Sequence, residues 1–190
     1  MTTRIESLAL IHQACWNELT RAASDKGHAW RMIALATVAA PADDGAATMA
    51  DLRSVVLREV NPQERTLMFF TDARSPKVAQ IQRQPAGTLL AWCRQLSWQL
   101  RLRVQLEVET SGLAVSSRWA RLKMKPAAQD YLSPLPPGAP VEHLRPERGT
   151  RDHFAVVHAR VQSIDWLELH ADGHRRAVFD QRGQGQWLTP

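Results

Sequence analysis

The feature that most constrains the fold of this chain is a strict alternation of apolar and polar side chains over residues 97–109. The apolar positions are Trp98, Leu100, Leu102, Val104, Leu106 and Val108. The residues between them are glutamine, arginine or glutamate. Because successive side chains of a β-strand point to opposite faces, the pattern predicts one long strand with a core face and a polar face. Such a strand is typical of an antiparallel sheet with one solvated side.

Several other segments have strand character, and turn signals separate them. They are residues 30–40, 50–60, 66–71, 89–93, 154–169, 175–179 and 187–188. The pair Asn61-Pro62 predicts a hairpin turn between two of these strands, and Asp172-Gly173 predicts another. A further turn is expected at residues 41–45, where Pro41 begins a polar stretch that ends at Gly45.

Three segments have helical signals. Residues 3–26 carry apolar side chains at helical spacing, and residues 116–130 are helix-like. Ser75 offers a helix N-cap and Pro76 fits the first helical position, which predicts a short helix that ends before Pro85. One helix followed by hairpins and two short helices argues against alternating βαβ units. It predicts a mainly β (α+β) fold, an antiparallel barrel in a single domain over residues 1–190.

A proline-rich segment interrupts this pattern late in the chain. Residues 133–146 read SPLPPGAPVEHLRP and hold five prolines. Proline fixes its backbone and lacks an N–H donor, so it fits neither a helix interior nor a central strand. We therefore expect a loop over residues 133–150 within the domain.

The composition is that of an ordinary folded protein, with 44% hydrophobic and 23% charged residues among 190. The chain has no long uninterrupted apolar run, and its start lacks the pattern of a secretory signal, so we expect a cytoplasmic protein without membrane contact. Cys15 and Cys93 are too few for a disulfide framework. We expect both to be reduced and buried, and we expect no metal site.

The formal net charge of +5 admits a nucleic acid, a membrane surface or an anionic small ligand as partner. The arginines are spread along the chain, which weakens the nucleic-acid interpretation and suits separate phosphate contacts. The sequence contains neither a GxGxxG nor a GxxxxGK[ST] phosphate loop. Any bound phosphate must therefore be held by side chains.

Four motifs, RSVVLR, FFT, SPK and WQLRL, follow one another between Arg53 and residue 102. Their order and spacing resemble the FMN-binding half of the pyridoxamine 5'-phosphate oxidase family. The resemblance implies an antiparallel split β-barrel with an N-terminal helix. It also implies an FMN-dependent oxidoreductase that transfers a hydride from a substrate to the flavin, and a homodimer with the flavin at the subunit interface.

Carried over by position, the resemblance gives a set of cofactor-binding residues. They are Arg53, Ser54, Val55, Val56, Leu57, Arg58, Phe70, Thr71, Ser75, Lys77 and Gln99. In this set Arg53 binds the FMN phosphate, residues 54–57 line the flavin with backbone groups, and Gln99 addresses its polar edge. The chemistry is suitable, since an arginine fork, a helix N-terminus at Ser75 and the charge of Lys77 all favour a phosphate.

The resemblance is weaker for the substrate. The predicted substrate contacts are Arg58, Trp119, Arg121 and Arg175. Arg58 stands where the family usually has a lysine. Ala177 stands where the family has a histidine if Arg175 is the matching arginine. One alternative is therefore an FMN-binding split barrel with a different substrate or a reductant-carrier role. A second alternative, which follows from the positive net charge, is a basic nucleic-acid-binding barrel.

Overall fold

The computed structural model describes residues 4–39, 47–141, 149 and 152–190. Its eight strands are β1 (Met32–Ala39), β2 (Met49–Asn61), β3 (Thr66–Asp72), β4 (Ala86–Cys93), β5 (Trp98–Glu109), β6 (Phe154–Glu168), β7 (Arg175–Phe179) and β8 (Gly185–Leu188). The turn expected at residues 41–45 lies outside the described residues. So do residues 142–148 and 150 of the expected proline-rich loop.

Six of these strands form a closed antiparallel barrel. Their order is β3-β2-β1-β4-β5-β6, and a pairing between β3 and β6 closes the ring. β7 and β8 extend the sheet beyond β6. The predicted antiparallel barrel is therefore confirmed.

The alternating segment forms β5 as predicted. Leu100 and Leu102 are fully buried, and Trp98, Val104 and Leu106 are nearly so. β5 pairs with β4 on one side and with β6 on the other, so its apolar face lies at the centre of the barrel. The main hydrophobic core is built around this face.

The N-terminal helix α1 (Leu8–Ser24) is shorter than the predicted segment, and it packs against β2 and β8. Its buried side chains are Ile11, Cys15, Trp16, Leu19 and Ala22. Cys15 and Cys93 are both buried and free, as predicted. None of the helices in the described ranges is long and apolar enough to cross a membrane.

The helix predicted at residues 116–130 is in fact two pieces. Helix α3 (Leu113–Leu122) begins after Gly112, whose φ of 94° suits glycine. A 3₁₀ segment, Pro126–Tyr131, follows. The single-helix prediction was wrong because Pro126 cannot donate the backbone hydrogen bond that a continuous helix requires.

A second, smaller core holds α3 and the 3₁₀ segment against the outside of the barrel. Its buried residues are Val115, Leu122, Ala128, Tyr131, Phe154 and Val156. Phe154 and Val156 belong to β6, which pairs with β3 at this point. The small core therefore fixes α3 beside β3, and Phe70 of β3 packs against it.

Candidate functional site

The end of β3 and the start of helix α2 (Pro76–Arg83) bring three predicted cofactor residues together. Lys77 donates a hydrogen bond from Nζ to Thr71 Oγ1 over 3.0 Å. The hydroxyl oxygens of Thr71 and Ser75 lie 3.1 Å apart, and both residues are buried. Arg53 lies close enough to Lys77 to lower the pKa of its ammonium group. We call the group formed by Arg53, Thr71, Ser75 and Lys77 the phosphate pocket.

Ser75 occupies the N-cap position of α2, as predicted, but its hydroxyl makes no capping hydrogen bond. The hydroxyl is instead paired with Thr71. Pro76 follows at the first helical position, where its missing N–H costs little. The positive end of the α2 dipole therefore lies at the phosphate pocket, together with two hydroxyl groups and an ammonium group.

A polar network holds the guanidinium of Arg53 in place. Arg53 donates to the hydroxyl of Thr37 and, over 3.0 Å, to Oε1 of Gln80. It also forms an ion pair with Asp51, whose carboxylate accepts a 2.9 Å hydrogen bond from Gln80 Nε2. Sequence reasoning missed Thr37, Gln80 and Asp51, because each residue type is common on strands and helices and carries no motif.

The phosphate pocket concentrates positive charge. Burial, and then the like charge of Arg53, lower the pKa of Lys77 below its ordinary value. Asp72 is also nearby, but it is engaged by Arg74 through a 2.7 Å ion pair. Within the described part of the chain, Asp51 is therefore the one acid near Arg53 and Lys77 that is not paired with a further cation. The donor set fits a phosphate monoester, which carries two negative charges and several acceptor oxygens.

The β2 segment beside this pocket has an edge with no strand partner. Residues 53–56 pair with β1, whereas β3 pairs with β2 only from Leu57 onward among the described strands. Val55 and Leu57 turn their side chains into the core, and Ser54 and Val56 lie on the outer face. Backbone groups of residues 53–56 on the unpaired edge are therefore free of the sheet ladder and can bind a ligand.

Arg58 is displaced from the regular ladder. The pairing of β2 with β3 shifts register between Leu57 and Glu59, which makes Arg58 the extra residue of a β-bulge. Its guanidinium carbon lies 5.8 Å from the centroid of the Phe70 ring. The bulge turns Arg58 toward a cleft on the outside of β2 and β3.

This cationic cleft has a volume of about 660 Å³. Its charged lining residues are Lys26, Arg31, Arg58, Glu59, Arg118, Arg121 and Lys125. Its apolar lining residues are Ala23, Phe70, Leu122, Pro126 and Ala127. Among the described residues of this lining Glu59 is the only acid, and Arg118 engages both of its oxygens over 2.9 and 2.6 Å. The cleft can therefore attract an anionic small molecule.

Two of the predicted substrate residues, Arg58 and Arg121, line the cationic cleft. Trp119 lies beside it and packs against Phe154, with ring centroids 5.5 Å apart. Sequence reasoning missed Lys26, Arg31, Arg118 and Lys125. Nothing but their charge marks them in the sequence, and the fold brings them together from separate segments.

The structure does not bring Arg175 to the cleft. Its guanidinium is bound to Glu168 through contacts of 2.9 and 3.0 Å, and it donates to the carbonyl of Ile5. It also lies over the ring of Trp166, 5.6 Å from the centroid. Within the chain Arg175 therefore has a structural role at the β6–β7 end of the sheet.

Gln99 is also separated from the phosphate pocket. It lies on β5 opposite Trp92 of β4, and both β4 and β1 stand between it and β2. Gln99 is half-buried, whereas Trp92 is exposed. Within a single chain Gln99 and Arg53 therefore do not belong to one site.

An apolar outer face covers β2, β1 and β4 on the same side as Trp92. Its exposed large side chains are Met32, Leu52, Leu90 and Trp92. Strand registers place Met32 opposite Val56 and Leu90 opposite Ala34, so the face is continuous across three strands. Large contiguous apolar surface of this kind marks an interaction site.

No metal centre is found within the described ranges, where no three His, Cys, Asp or Glu side chains are placed to hold an ion. His170 and His174 lie in the β6–β7 turn. The backbone N–H of His170 donates to His174 Nδ1 over 3.1 Å. The turn thus uses these histidines for its own hydrogen bonds.

Comparison with known proteins gives one family match. The sequence model of the family described as "Pyridoxamine 5'-phosphate oxidase, FMN-binding domain" matches residues 13–110, more than half of the chain. A pyridoxine/pyridoxamine 5'-phosphate oxidase of Caulobacter vibrioides is 28% identical over 154 residues, which cover 74% of this chain and 68% of that protein. The matched residues include the whole phosphate pocket.

Solved structures share the fold. A pyridoxamine 5'-phosphate oxidase-related, FMN binding protein from Nostoc punctiforme has a TM-score of 0.73 at 24% identity, covering 94% of this chain and 96% of its own. PhzG from Burkholderia lata, solved in complex with tetrahydrophenazine-1-carboxylic acid, has a TM-score of 0.72 at 14% identity. The match covers 100% of this chain and 99% of that one. A heme binding protein from Mycobacterium smegmatis has a TM-score of 0.52 at 14% identity, and the match covers 95% of this chain and 61% of that one. The same barrel thus serves different ligands, so the fold alone does not decide the activity.

Proposed function

Because the chain belongs to the pyridoxamine 5'-phosphate oxidase FMN-binding family, we propose that it binds FMN and acts as an FMN-dependent oxidoreductase. The observation that carries the proposal is the convergence of Arg53, Thr71, Ser75 and Lys77 in one partly buried cluster. These residues come from two strands and a helix start, and together they offer two cations and two hydroxyls. Such a set is suited to the phosphate of FMN.

Each part of the pocket has a distinct role in this proposal. Arg53 and Lys77 neutralise the phosphate, and Thr71 and Ser75 bind its oxygens. The unpaired edge of residues 53–56 binds the polar groups of the flavin ring through backbone N–H and C=O groups. When bound, FMN supplies hydride-acceptor chemistry, and the protein supplies binding, orientation and exclusion of water.

The cationic cleft is the proposed substrate site. Arg58 and Arg121 bind an anionic group of the substrate, and Phe70 packs against its apolar part. Trp119 supports the cleft from the small core beside it. Hydride transfer from a substrate carbon requires the substrate to be held in a fixed orientation, which two arginines on different elements provide.

We further propose that the protein is a homodimer in which the apolar outer face is buried against a second copy. Met32, Leu52 and Trp92 would otherwise expose a continuous apolar surface beside the unpaired edge of β2. Burial of this face in a dimer brings Gln99, at its margin, close to the partner subunit. Gln99 then contacts the flavin that is bound to the partner subunit. In the dimer it can therefore have its predicted role at the polar edge of the flavin.

A second candidate is a flavin-binding protein without pyridoxamine phosphate oxidase activity. Ala177, which stands at the position of the family's histidine if Arg175 is the matching arginine, is fully buried and lies opposite Trp166 in the sheet. A polar substrate contact from this position is therefore absent. Nucleic acid binding has less support, because Trp98 is buried and cannot stack on a base. A single domain over residues 1–190 and a cytoplasmic location stay predictions.

The deciding experiment is an absorption spectrum of the purified protein, followed by identification of the released chromophore. We expect a flavin spectrum and FMN. Titration of the flavin-free protein should show FMN binding far more tightly than riboflavin, which lacks the phosphate. A colourless protein that does not bind added FMN would refute the proposal. Anaerobic addition of pyridoxamine 5'-phosphate then separates the two candidates, since only an oxidase of that substrate loses its flavin absorbance.

A further inference from the structure

The cationic cleft carries far more positive charge than a single phosphate group requires. Six of its described lining residues are basic and one is acidic. The acid, Glu59, is already paired with Arg118. The other five basic residues have no acidic partner among the described residues that line the cleft, and a bound anion would compensate their charge.

The basic residues form two walls. Lys26 and Arg31 follow the end of α1 and form the first wall, whereas Arg121 and Lys125, from α3 and the turn after it, form the second. Arg31 is fixed in its wall because its Nη1 donates to the carbonyls of Ala22 and Ala23 at the end of α1.

Arg58 comes from β2 and lies close to the first wall. Burial, and then the like charge of Arg58, lower the pKa of Arg31. Two guanidinium groups are thus held near each other in a partly buried place, although like charges repel. An anion placed between them relieves this repulsion.

We propose that the cleft binds a small molecule with two separate anionic groups, one at each wall, joined by an apolar body. A single anionic group would contact only one wall, whereas two groups can contact both. A volume of about 660 Å³ is that of a pocket for a whole small molecule. Phe70, Leu122 and Ala127 offer apolar surface for the body. The inference rests on the proposed function, since it names the substrate class of the same cleft.

The test uses the FMN-loaded protein and two matched probes, terephthalate with two carboxylates and benzoate with one. Isothermal titration calorimetry should show terephthalate binding about tenfold more tightly, which is the effect of one additional ionic hydrogen bond. Lys26→Gln, in the first wall, and Lys125→Gln, in the second, should each reduce terephthalate affinity several-fold. Each should also bring the ratio of the two affinities toward one.

Lys123→Gln is the matched control, because Lys123 is an exposed lysine at the end of α3 that does not line the cleft. It should leave both affinities unchanged. Equal affinity of the native protein for the two probes would overturn the inference. So would a Lys26→Gln variant that behaves like Lys123→Gln. FMN content is measured separately by absorbance, so a flavoprotein without preference for terephthalate refutes only this inference, whereas a protein that is colourless and does not bind added FMN refutes the proposed function.

Discussion

The ammonium group of Lys77 lies 3.0 Å from the hydroxyl oxygen of Thr71 and donates a hydrogen bond to it. The contact joins the first turn of α2 to the end of β3, and it holds the Lys77 charge beside Arg53. Neither Lys77 nor Arg53 is fully exposed, so their two positive charges interact more strongly than they would in water. The pocket is thus prepared for an anion before any ligand arrives.

The lowered pKa of Lys77 predicts a pH dependence of FMN binding. Burial, and then Arg53, lower this pKa in the flavin-free protein, and a bound phosphate favours the protonated lysine. FMN affinity should therefore be highest below the lowered pKa and fall as the pH rises through it. Lys77→Arg should remove the fall, because an arginine stays protonated.

The measurement is quenching of flavin fluorescence from about pH 7 to about pH 10, with FMN and riboflavin compared. Riboflavin shares the ring of FMN but has no phosphate, so its affinity should not follow the Lys77 titration. An alkaline loss of affinity that is identical for the two ligands would show that Lys77 is not the cause.

Asp51 competes with the phosphate for Arg53. The hydrogen bond from Gln80 is the main reason that the pKa of Asp51 lies below its usual value, and the charge of Arg53 adds to it. Asp51 is therefore ionised at neutral pH and paired with Arg53. Asp51→Asn should raise FMN affinity, roughly tenfold for the loss of one like charge beside the phosphate.

The control for this prediction is Asp172→Asn, at an aspartate that lies in the β6–β7 turn with a side chain 83% exposed. This variant should bind FMN as the native protein does. Riboflavin affinity should be the same in all three proteins. A decrease in FMN affinity on Asp51→Asn would mean that Asp51 orients Arg53 for the phosphate instead of competing with it.

The sequence predicted most of the phosphate pocket because its parts are local. Thr71, Ser75 and Lys77 lie within seven residues, and an N-cap serine followed by proline marks a helix start on its own. The network around Arg53 could not be predicted in this way. Thr37 and Gln80 reach Arg53 from different elements, so their meeting depends on strand register and on the position of α2, which no local pattern specifies.

The cationic cleft was harder to predict than the barrel. The barrel follows from alternation and turn signals, which are periodic and strong. The cleft depends on a β-bulge at Arg58 and on Pro126, which divides an expected helix in two. It also depends on Arg31, which comes from a segment remote from α3. Charged residues that are so far apart in the sequence become neighbours only through tertiary packing.

Glu168 is predicted to be important for stability. Its carboxylate is nearly buried and accepts hydrogen bonds from Arg4, Arg175 and the indole N–H of Trp98. Removal of one partner of a buried ionic network leaves the other charges uncompensated. Glu168→Gln should therefore lower the free energy of unfolding by about 3 kcal/mol.

Urea unfolding followed by tryptophan fluorescence measures this loss. Glu64→Gln is the control, because Glu64 is exposed in the turn between β2 and β3. This control should change stability by less than about 0.5 kcal/mol. An unchanged stability of Glu168→Gln would mean that the arginines find other partners or water when the carboxylate is lost.

His12 gives the protein a second, acidic pH dependence. Its Nε2 accepts a hydrogen bond from Trp16 Nε1 over 3.1 Å, which requires that nitrogen to be unprotonated. Burial, and then the charge of Arg65, lower the pKa of His12 from 6.5 in the folded protein. Between the lowered value and the unfolded value, the unfolded chain binds more protons, so stability rises with pH in that window. The contribution is complete above pH 6.5 and decreases as the pH falls below it.

His12→Gln has no titrating ring, so the stability difference between the native protein and this variant should shrink as the pH falls from about 7 to about 5. Urea unfolding at each pH measures the difference, with His174→Gln, at an exposed histidine of the β6–β7 turn, as the control. Parallel curves for the native protein and His12→Gln would show that His12 does not titrate in this window.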